Sequence, residues 1–309
     1  MILSVCVNPA LDVSTTVDEV EPDRKLRTDP PVYEPGGGGI NVARVARSLG
    51  ADTQLVAALG GHTGARVASL LAADHGSVEV VDLREETRES VTVRSRGSGR
   101  QFRFVFPGPN LDHEEVENLS NTVVAAADAA EVVVLSGSLA PGVDSGLYRD
   151  LIDRLEGCRV IVDTSGSAFV QASRAAATLL KPSVNELRGA VMRDLVHEDE
   201  YIDAAKELLA TGRAEHVAVS LGPGGALLVG RDGSVVRARP PAVRQVSAVG
   251  AGDSMVAAVA AELEQSGDMV RSIQAGVAAG TAAVLTPGSQ LCRPDDVATL
   301  RERVVIERL

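Results

Sequence analysis

Short apolar runs alternate with segments of helical periodicity along most of this chain, and that alternation limits the fold more than any other feature. Strands are expected at 2–7, 53–58, 78–82, 131–136, 158–163, 178–181 and 215–221. Helices are expected at 40–49, 63–73, 113–128, 144–155 and 198–211. Repeated strand–helix units imply a mostly parallel sheet with helices on both faces. A hairpin pair at 225–230 and 234–238 follows, and the end reads as helical at 252–265, 268–285 and 293–306. Two stretches break the rhythm. Residues 12–35 alternate apolar and polar and hold four of the 14 prolines. Ser90–Arg94 and Gln101–Phe106 alternate strictly around Gly97-Ser98-Gly99, the pattern of a β-hairpin with one polar face. The expected organisation is an α/β core (1–11, 36–84 and 108–309) carrying a small β piece inserted in two segments, 12–35 and 85–107.

Composition narrows the partners. Aromatic residues are 2% of the chain and Trp is absent, so little is available for stacking nucleobases or RNA. The net charge of -12 disfavours nucleic acid and anionic membranes. An anionic ligand would need a few local cations, and lysine is confined to Lys25, Lys181 and Lys206. Cys6, Cys158 and Cys292 are odd in number and far apart. They fit neither a disulfide framework nor a zinc site, and they suit a reducing, cytoplasmic setting. No apolar run is long enough to span a membrane, and the first residues read as a strand.

Three glycine-rich stretches could carry chemistry. Gly250-Ala251-Gly252-Asp253-Ser254 precedes an Ala/Val-rich helix. Its amides and the helix dipole could bind an anion, with Asp253 beside them to accept a proton. A plain helix cap has the same appearance. Gly36–Gly39 ahead of Ile40-Asn41 would let the backbone approach a ligand closely, or form a hinge. Ser220–Ala226 follows a strand and could line nucleotide phosphates or be an ordinary turn. None fits the dinucleotide fingerprint or the P-loop.

Taken in order, these stretches together with Ser136–Gly142 and Lys181–Leu187 make the chain resemble the ribokinase-like sugar kinases, in their phosphofructokinase-B branch, over nearly its whole length. The resemblance implies a Rossmann-like core and a β lid that closes on substrate and pairs two subunits into a homodimer. It implies ATP with Mg²⁺ and direct in-line phosphoryl transfer to a sugar phosphate. Asp253 would be the catalytic base, and the amides of Gly250, Ala251 and Gly252 the anion hole. Asp12, Gly37, Gly38, Asn41 and Ser138 would bind the sugar, and Lys25 and Arg88 its phosphate. Arg27 and Arg103 could be lid surface charges or further phosphate contacts, and the surface reading is the preferred one. Lys181, Ser183, Glu186, Ser220, Gly222 and Gly225 would line ATP, with Ala278 and Gly280 flanking adenine. Ser183 stands where the family usually has Asn. Some members bind a monovalent cation such as K⁺; the matching positions are Ser247, Val249, Ala283, Gly288 and Gln290.

The 1-phosphofructokinase and tagatose-6-phosphate kinase branches typically carry lysine where this chain has Gly38. The four-glycine form, with Lys25-Leu26-Arg27, looks most like the minor bacterial 6-phosphofructokinases, which implies fructose 6-phosphate as acceptor. Fructose 1-phosphate has the same size and charge and could use the same cations end for end, so it stays open.

Overall fold

The computed structural model describes residues 1–74, 76–286 and 291–309. The chain begins with β1 (Ile2–Cys6), β2 (Ala10–Val17), β3 (Val32–Gly36), α1 (Gly38–Ser48), β4 (Thr53–Gly60), α2 (Gly61–Ala73) and β5 (Ser77–Leu83). Next come β6 (Arg88–Ser95), β7 (Gln101–Val105), α3 (His113–Ala127), β8 (Val132–Ser136), α4 (Leu147–Arg154), β9 (Arg159–Asp163) and α5 (Gly166–Ala172). Then follow β10 (Leu179–Leu180), α6 (Val184–Val191), α7 (Glu198–Thr211), β11 (His216–Ser220), β12 (Ala226–Gly230) and β13 (Val235–Arg239). The chain ends with α8 (Ala251–Ser266), α9 (Met269–Ala283), α10 (Pro294–Arg301) and β14 (Val305–Arg308).

Ten strands form the main sheet in the order β14-β13-β12-β11-β10-β9-β8-β1-β4-β5. From β5 to β11 every pairing is parallel; β12, β13 and β14 add an antiparallel edge. All five residues of β1 and of β8 are buried, as strands covered on both faces must be. The sheet separates two large apolar clusters. One packs α3, α4, α5 and α7 on one face, and the other packs α1, α8 and α9 on the other. With so few aromatics, close approach of small residues supplies the packing. A Cβ on Gly276 would lie 2.5 Å from Val259 and 3.0 Å from the Met255 carbonyl, so α8 and α9 meet at the backbone.

The chain runs from β1 outward through β4 and β5, then returns to β8 on the other side of β1. The carboxyl ends of β1 and β8 therefore flank a reversal of strand order, the place where open α/β sheets bind ligands. The inserted β piece grows from this end as a second sheet, ordered β3-β2-β6-β7. It begins at Ala10, two residues earlier than the sequence suggests, because β2 pairs with β3 from Ala10↔Gly36 onward. Register and alternation put Arg88, Ser90 and Asp12 on one face of it.

Two expectations are corrected. The last helix stops at Arg301, and Val305–Arg308 pairs antiparallel with β13 as β14. The β-branched run Val304-Val305-Ile306 favours extended backbone, and it covers an otherwise open sheet edge. The short helices α5 and α6 were not foreseen; at seven and eight residues they are too brief to show a clear period.

Candidate active site

The glycine run sets one helix hard against the sheet. Gly37 (φ +117°) caps α1 in a conformation that disfavours a side chain. A Cβ on Gly38 would lie 2.6 Å from the Ser136 hydroxyl, and one on Gly39 would lie 2.2 Å from the Val5 carbonyl. α1 consequently starts directly over the ends of β1 and β8. Its first turn delivers Asn41, whose Nδ2 donates to Asp253 Oδ2 at 2.7 Å.

Asp253 stands in the first turn of α8, where Gly250 caps the helix in the left-handed region. The amides of that turn have no carbonyl of their own helix to bond, and the dipole adds positive potential. Even so, burial in the cleft pushes Asp253 up to about 6, and repulsion from Asp163 adds to this; Asn41 and Lys181 oppose it. A carboxylate poised there can accept a proton near neutral pH.

Beneath it lies an ion pair. Lys181 Nζ and Asp163 Oδ1 are 2.9 Å apart, both well shielded. Burial works against the Lys181 charge, but Asp163, Glu186 and Asp253 together hold its pKa above the ordinary lysine value. Burial likewise raises Asp163, and Lys181 only partly offsets it. Lys181 is thus a buried cation among three carboxylates, and its Nζ lies beside the cleft residue Gly252, 3.9 Å from where a Cβ there would stand. Ser183 and Glu186 are also engaged locally. The Ser183 amide donates to Glu186 Oε2 at 2.7 Å, and the Glu186 amide donates to Ser183 Oγ at 3.3 Å, a capping box for α6. Asp163 escaped the sequence reading; its signal was an acidic residue ending the apolar run of β9.

On one side of Gly252 lies a cleft of about 520 Å³ between the turn after β11 and helices α8 and α9. Ser220, Gly222, Gly225, Ala251, Gly252 and Gly280 line it, as expected for a nucleotide. Ala278 does not; it is fully buried in the core. Val277, Gly280, Thr281 and Val284 form the cleft-facing stripe of α9, and one residue on from Val277 turns the helix about 100° away.

A second cleft, of about 700 Å³, opens where the small sheet meets the core. Asn8, Arg88, Phe106, Gly108 and Ser138 are among its walls. Asp12 lies close by; burial raises its pKa, against the charges of Arg103 and Arg88 and a hydrogen bond from Ser90. Arg103 shares the Asp12 face of the sheet and is exposed, as the surface reading expects. Lys25 sits in the exposed connection between β2 and β3 and is not among the cleft walls.

Of the positions suggested for a monovalent cation, Ser247, Val249 and Ala283 fall within one region. The amides of Val246 and Ser247 donate to the Val284 carbonyl at 2.8 and 3.3 Å, and the Val249 amide donates to Ser247 Oγ at 3.2 Å. Gly288 and Gln290 lie outside the described residues. Among the described residues, no group of three or more His, Cys, Asp or Glu could hold a metal ion, and no helix is long and apolar enough to cross a membrane. A divalent ion that arrives on nucleotide phosphates needs no such protein cage.

Comparison with known proteins agrees with this geometry. The model of the pfkB family of carbohydrate kinases matches residues 1–296. The chain is 43% identical over 298 residues to ATP-dependent 6-phosphofructokinase isozyme 2 of Mycobacterium tuberculosis, covering 96% of this chain and 87% of that one. It superposes on phosphofructokinase-2 from Escherichia coli in complex with potassium at 39% identity and a TM-score of 0.93, covering 98% of each chain. The same E. coli enzyme in complex with fructose-6-phosphate matches at 38% identity and a TM-score of 0.90, again over 98% of each chain. The fold is the ribokinase-like one, and the chain belongs to the pfkB family of carbohydrate kinases, a family of phosphotransferases.

Proposed function

We propose that the protein transfers the γ-phosphoryl group of ATP directly to the C1 hydroxyl of fructose 6-phosphate, giving fructose 1,6-bisphosphate and ADP. The observation that carries this reading is Asp253: a carboxylate at a helix N-terminus, bonded to Asn41, with its pKa lifted to about 6. Asp253 takes the proton of the attacking hydroxyl, and the amides of Gly250, Ala251 and Gly252 receive the charge of the phosphoryl group in flight. ATP occupies the cleft lined by Ser220, Gly222, Gly225 and Gly280. The sugar lies against Asp12, Gly37, Gly38, Asn41 and Ser138, and its 6-phosphate against Arg88. Lys25 and Arg103 join it when the small sheet closes as a lid. Mg²⁺ bound with ATP supplies charge neutralisation on the phosphates, and Glu186 would hold its water shell.

The regiochemistry rests on Gly38 in the four-glycine run and on the 43% identity to a 6-phosphofructokinase. ADP release with fructose 6-phosphate, fructose 1-phosphate, tagatose 6-phosphate and free fructose at saturating Mg-ATP tests it. A higher kcat/KM for fructose 1-phosphate would overturn the choice of acceptor, and free fructose as best substrate would remove the phosphate-binding role of Arg88.

The exposed lid residues Val32, Phe104, Val105 and Phe106 support a homodimer through this sheet; Phe104 is 53% exposed in the single chain. A K⁺ ion near Ser247, Val249 and Ala283 is supported by the likeness to the potassium-bound E. coli enzyme, and replacing K⁺ by a bulky organic cation would test it. Three free thiols and the family's substrates suit the cytoplasm.

A further inference from the structure

Asn8 lies between the core and the lid, with β1 ending at Cys6 and β2 starting at Ala10. It is 8% exposed, and its hydrogen bonds run in both directions. Its Nδ2 donates to Ser138 Oγ and to the Leu139 carbonyl, each at 3.2 Å, tying it to the core loop after β8. Its main-chain carbonyl accepts from Arg88 Nη2 at 3.0 Å, tying it to the first residue of β6 in the lid. Gly108, where the chain leaves the lid, closes the third side: a Cβ there would lie 2.2 Å from Asn8 Oδ1. Three of the four crossings between core and lid therefore meet on this one residue.

Two polar atoms at this junction are buried without a partner, Asn8 Oδ1 and Arg88 Nε. Both belong to residues that line the 700 Å³ cleft. A buried donor and a buried acceptor without partners at the wall of a cleft are groups that a ligand bearing oxyanions and hydroxyls would satisfy.

From these contacts we infer that Asn8 is a positioning residue for sugar-phosphate binding, setting the Arg88 guanidinium and the Ser138 hydroxyl in register across the hinge. The inference rests on the reading that Arg88 meets the substrate's phosphate. Asn8 supplies no proton and holds no ATP; its effect passes through Arg88 and Ser138.

The test measures kcat and both KM values for Asn8→Ala, Arg88→Ala and the double variant. Asn8→Ala is expected to raise the sugar-phosphate KM roughly tenfold, since displacement of a binding group by about an ångström has effects of that order or more. The ATP KM should stay within about twofold. The double variant should fall short of the product of the two single effects, because residues acting through one another are not additive. Asn8→Asp keeps the size and the main-chain carbonyl and carries the same test if the Ala variant does not fold. Multiplying effects in the double variant, a parallel rise in both KM values, or an unchanged sugar-phosphate KM would each overturn the inference. If Arg88→Ala itself leaves the sugar-phosphate KM unchanged, the substrate reading fails and takes the inference with it. A raised KM for Arg88→Ala but not for Asn8→Ala sinks the inference only.

Discussion

Replacing Asp253 by Asn should stop the reaction and make the protein more stable. The carboxylate is pushed from 3.8 to about 6, chiefly by burial and then by Asp163. In the folded state the acid therefore holds its proton at pH values where the unfolded chain has released it. Stability from this group is greatest below the unfolded value, falls as pH rises from about 4 to about 6, and stays reduced above that. A rise of this size corresponds to roughly 3 kcal/mol against folding at neutral pH. Asn has the same shape, can still accept from Asn41, and carries no charge for Asp163 to repel. Part of the gain is lost with the attraction to Lys181, so about 1–3 kcal/mol is expected, or a Tm increase of roughly 2–6 °C at pH 7.5. Loss of the base should lower kcat by about 10²–10⁴. Thermal unfolding at pH 7.5 and pH 4.5, beside steady-state kinetics, checks both. The Tm gain should shrink at the lower pH, where Asp253 is itself neutral. A variant that melts lower than the parent at pH 7.5, or one that keeps near-full activity, would refute the reasoning.

Other outcomes follow from the same geometry. In the parent enzyme log kcat/KM for the sugar phosphate should fall with unit slope below about pH 6 as Asp253 is protonated, read from a pH–rate profile at subsaturating sugar phosphate. Gly39→Ala would bring a Cβ to 2.2 Å from the Val5 carbonyl, a backbone atom that cannot rotate away. It should destabilise by on the order of 3 kcal/mol in denaturant melts. Gly38→Ala meets first the Ser136 hydroxyl at 2.6 Å and then the Gly137 amide at 3.0 Å. It should raise the sugar-phosphate KM, and adding Ser136→Ala should recover part of the loss; equal kinetics for the single and double variants would show that Ser136 is not the obstruction.

The parallel architecture was legible because most of its strands are short apolar runs such as β1 and β8, buried on both faces, and such runs need no partner to be recognised; the edge strand β5 is largely exposed. The lid was legible for the opposite reason: Ser90–Arg94 and Gln101–Phe106 alternate strictly, as a sheet with one polar face must. What sequence could not supply was direction. Ala278 and Val277 are neighbours of similar character, and only the rotation of α9 against α8 decides which one meets the cleft. Arg103 reads as a surface charge and is exposed, but only the pairing of β7 with β6 shows that it shares the Asp12 face. β14 was hidden because its partner strand is some seventy residues away in sequence, and pairing at that distance leaves no local period.

Lys181 is the most instructive of these cases. In sequence, the resemblance to the sugar kinases makes it one of the residues that would line ATP. In the fold its charge is already committed to Asp163, with Glu186 and Asp253 adding to the attraction. Without that cation, Asp163 and Asp253 would repel each other in a buried place, and one of them would hold a proton at neutral pH. Lys181 thus keeps Asp253 from rising further than about 6 and so keeps a base available to the reaction. Its Nζ nonetheless stands close to the N-terminus of α8, 3.9 Å from where a Cβ on Gly252 would lie. If the small sheet closes over a dianionic sugar, as proposed above, Arg88 and Arg103 would bring local positive charge to a chain whose net charge is -12.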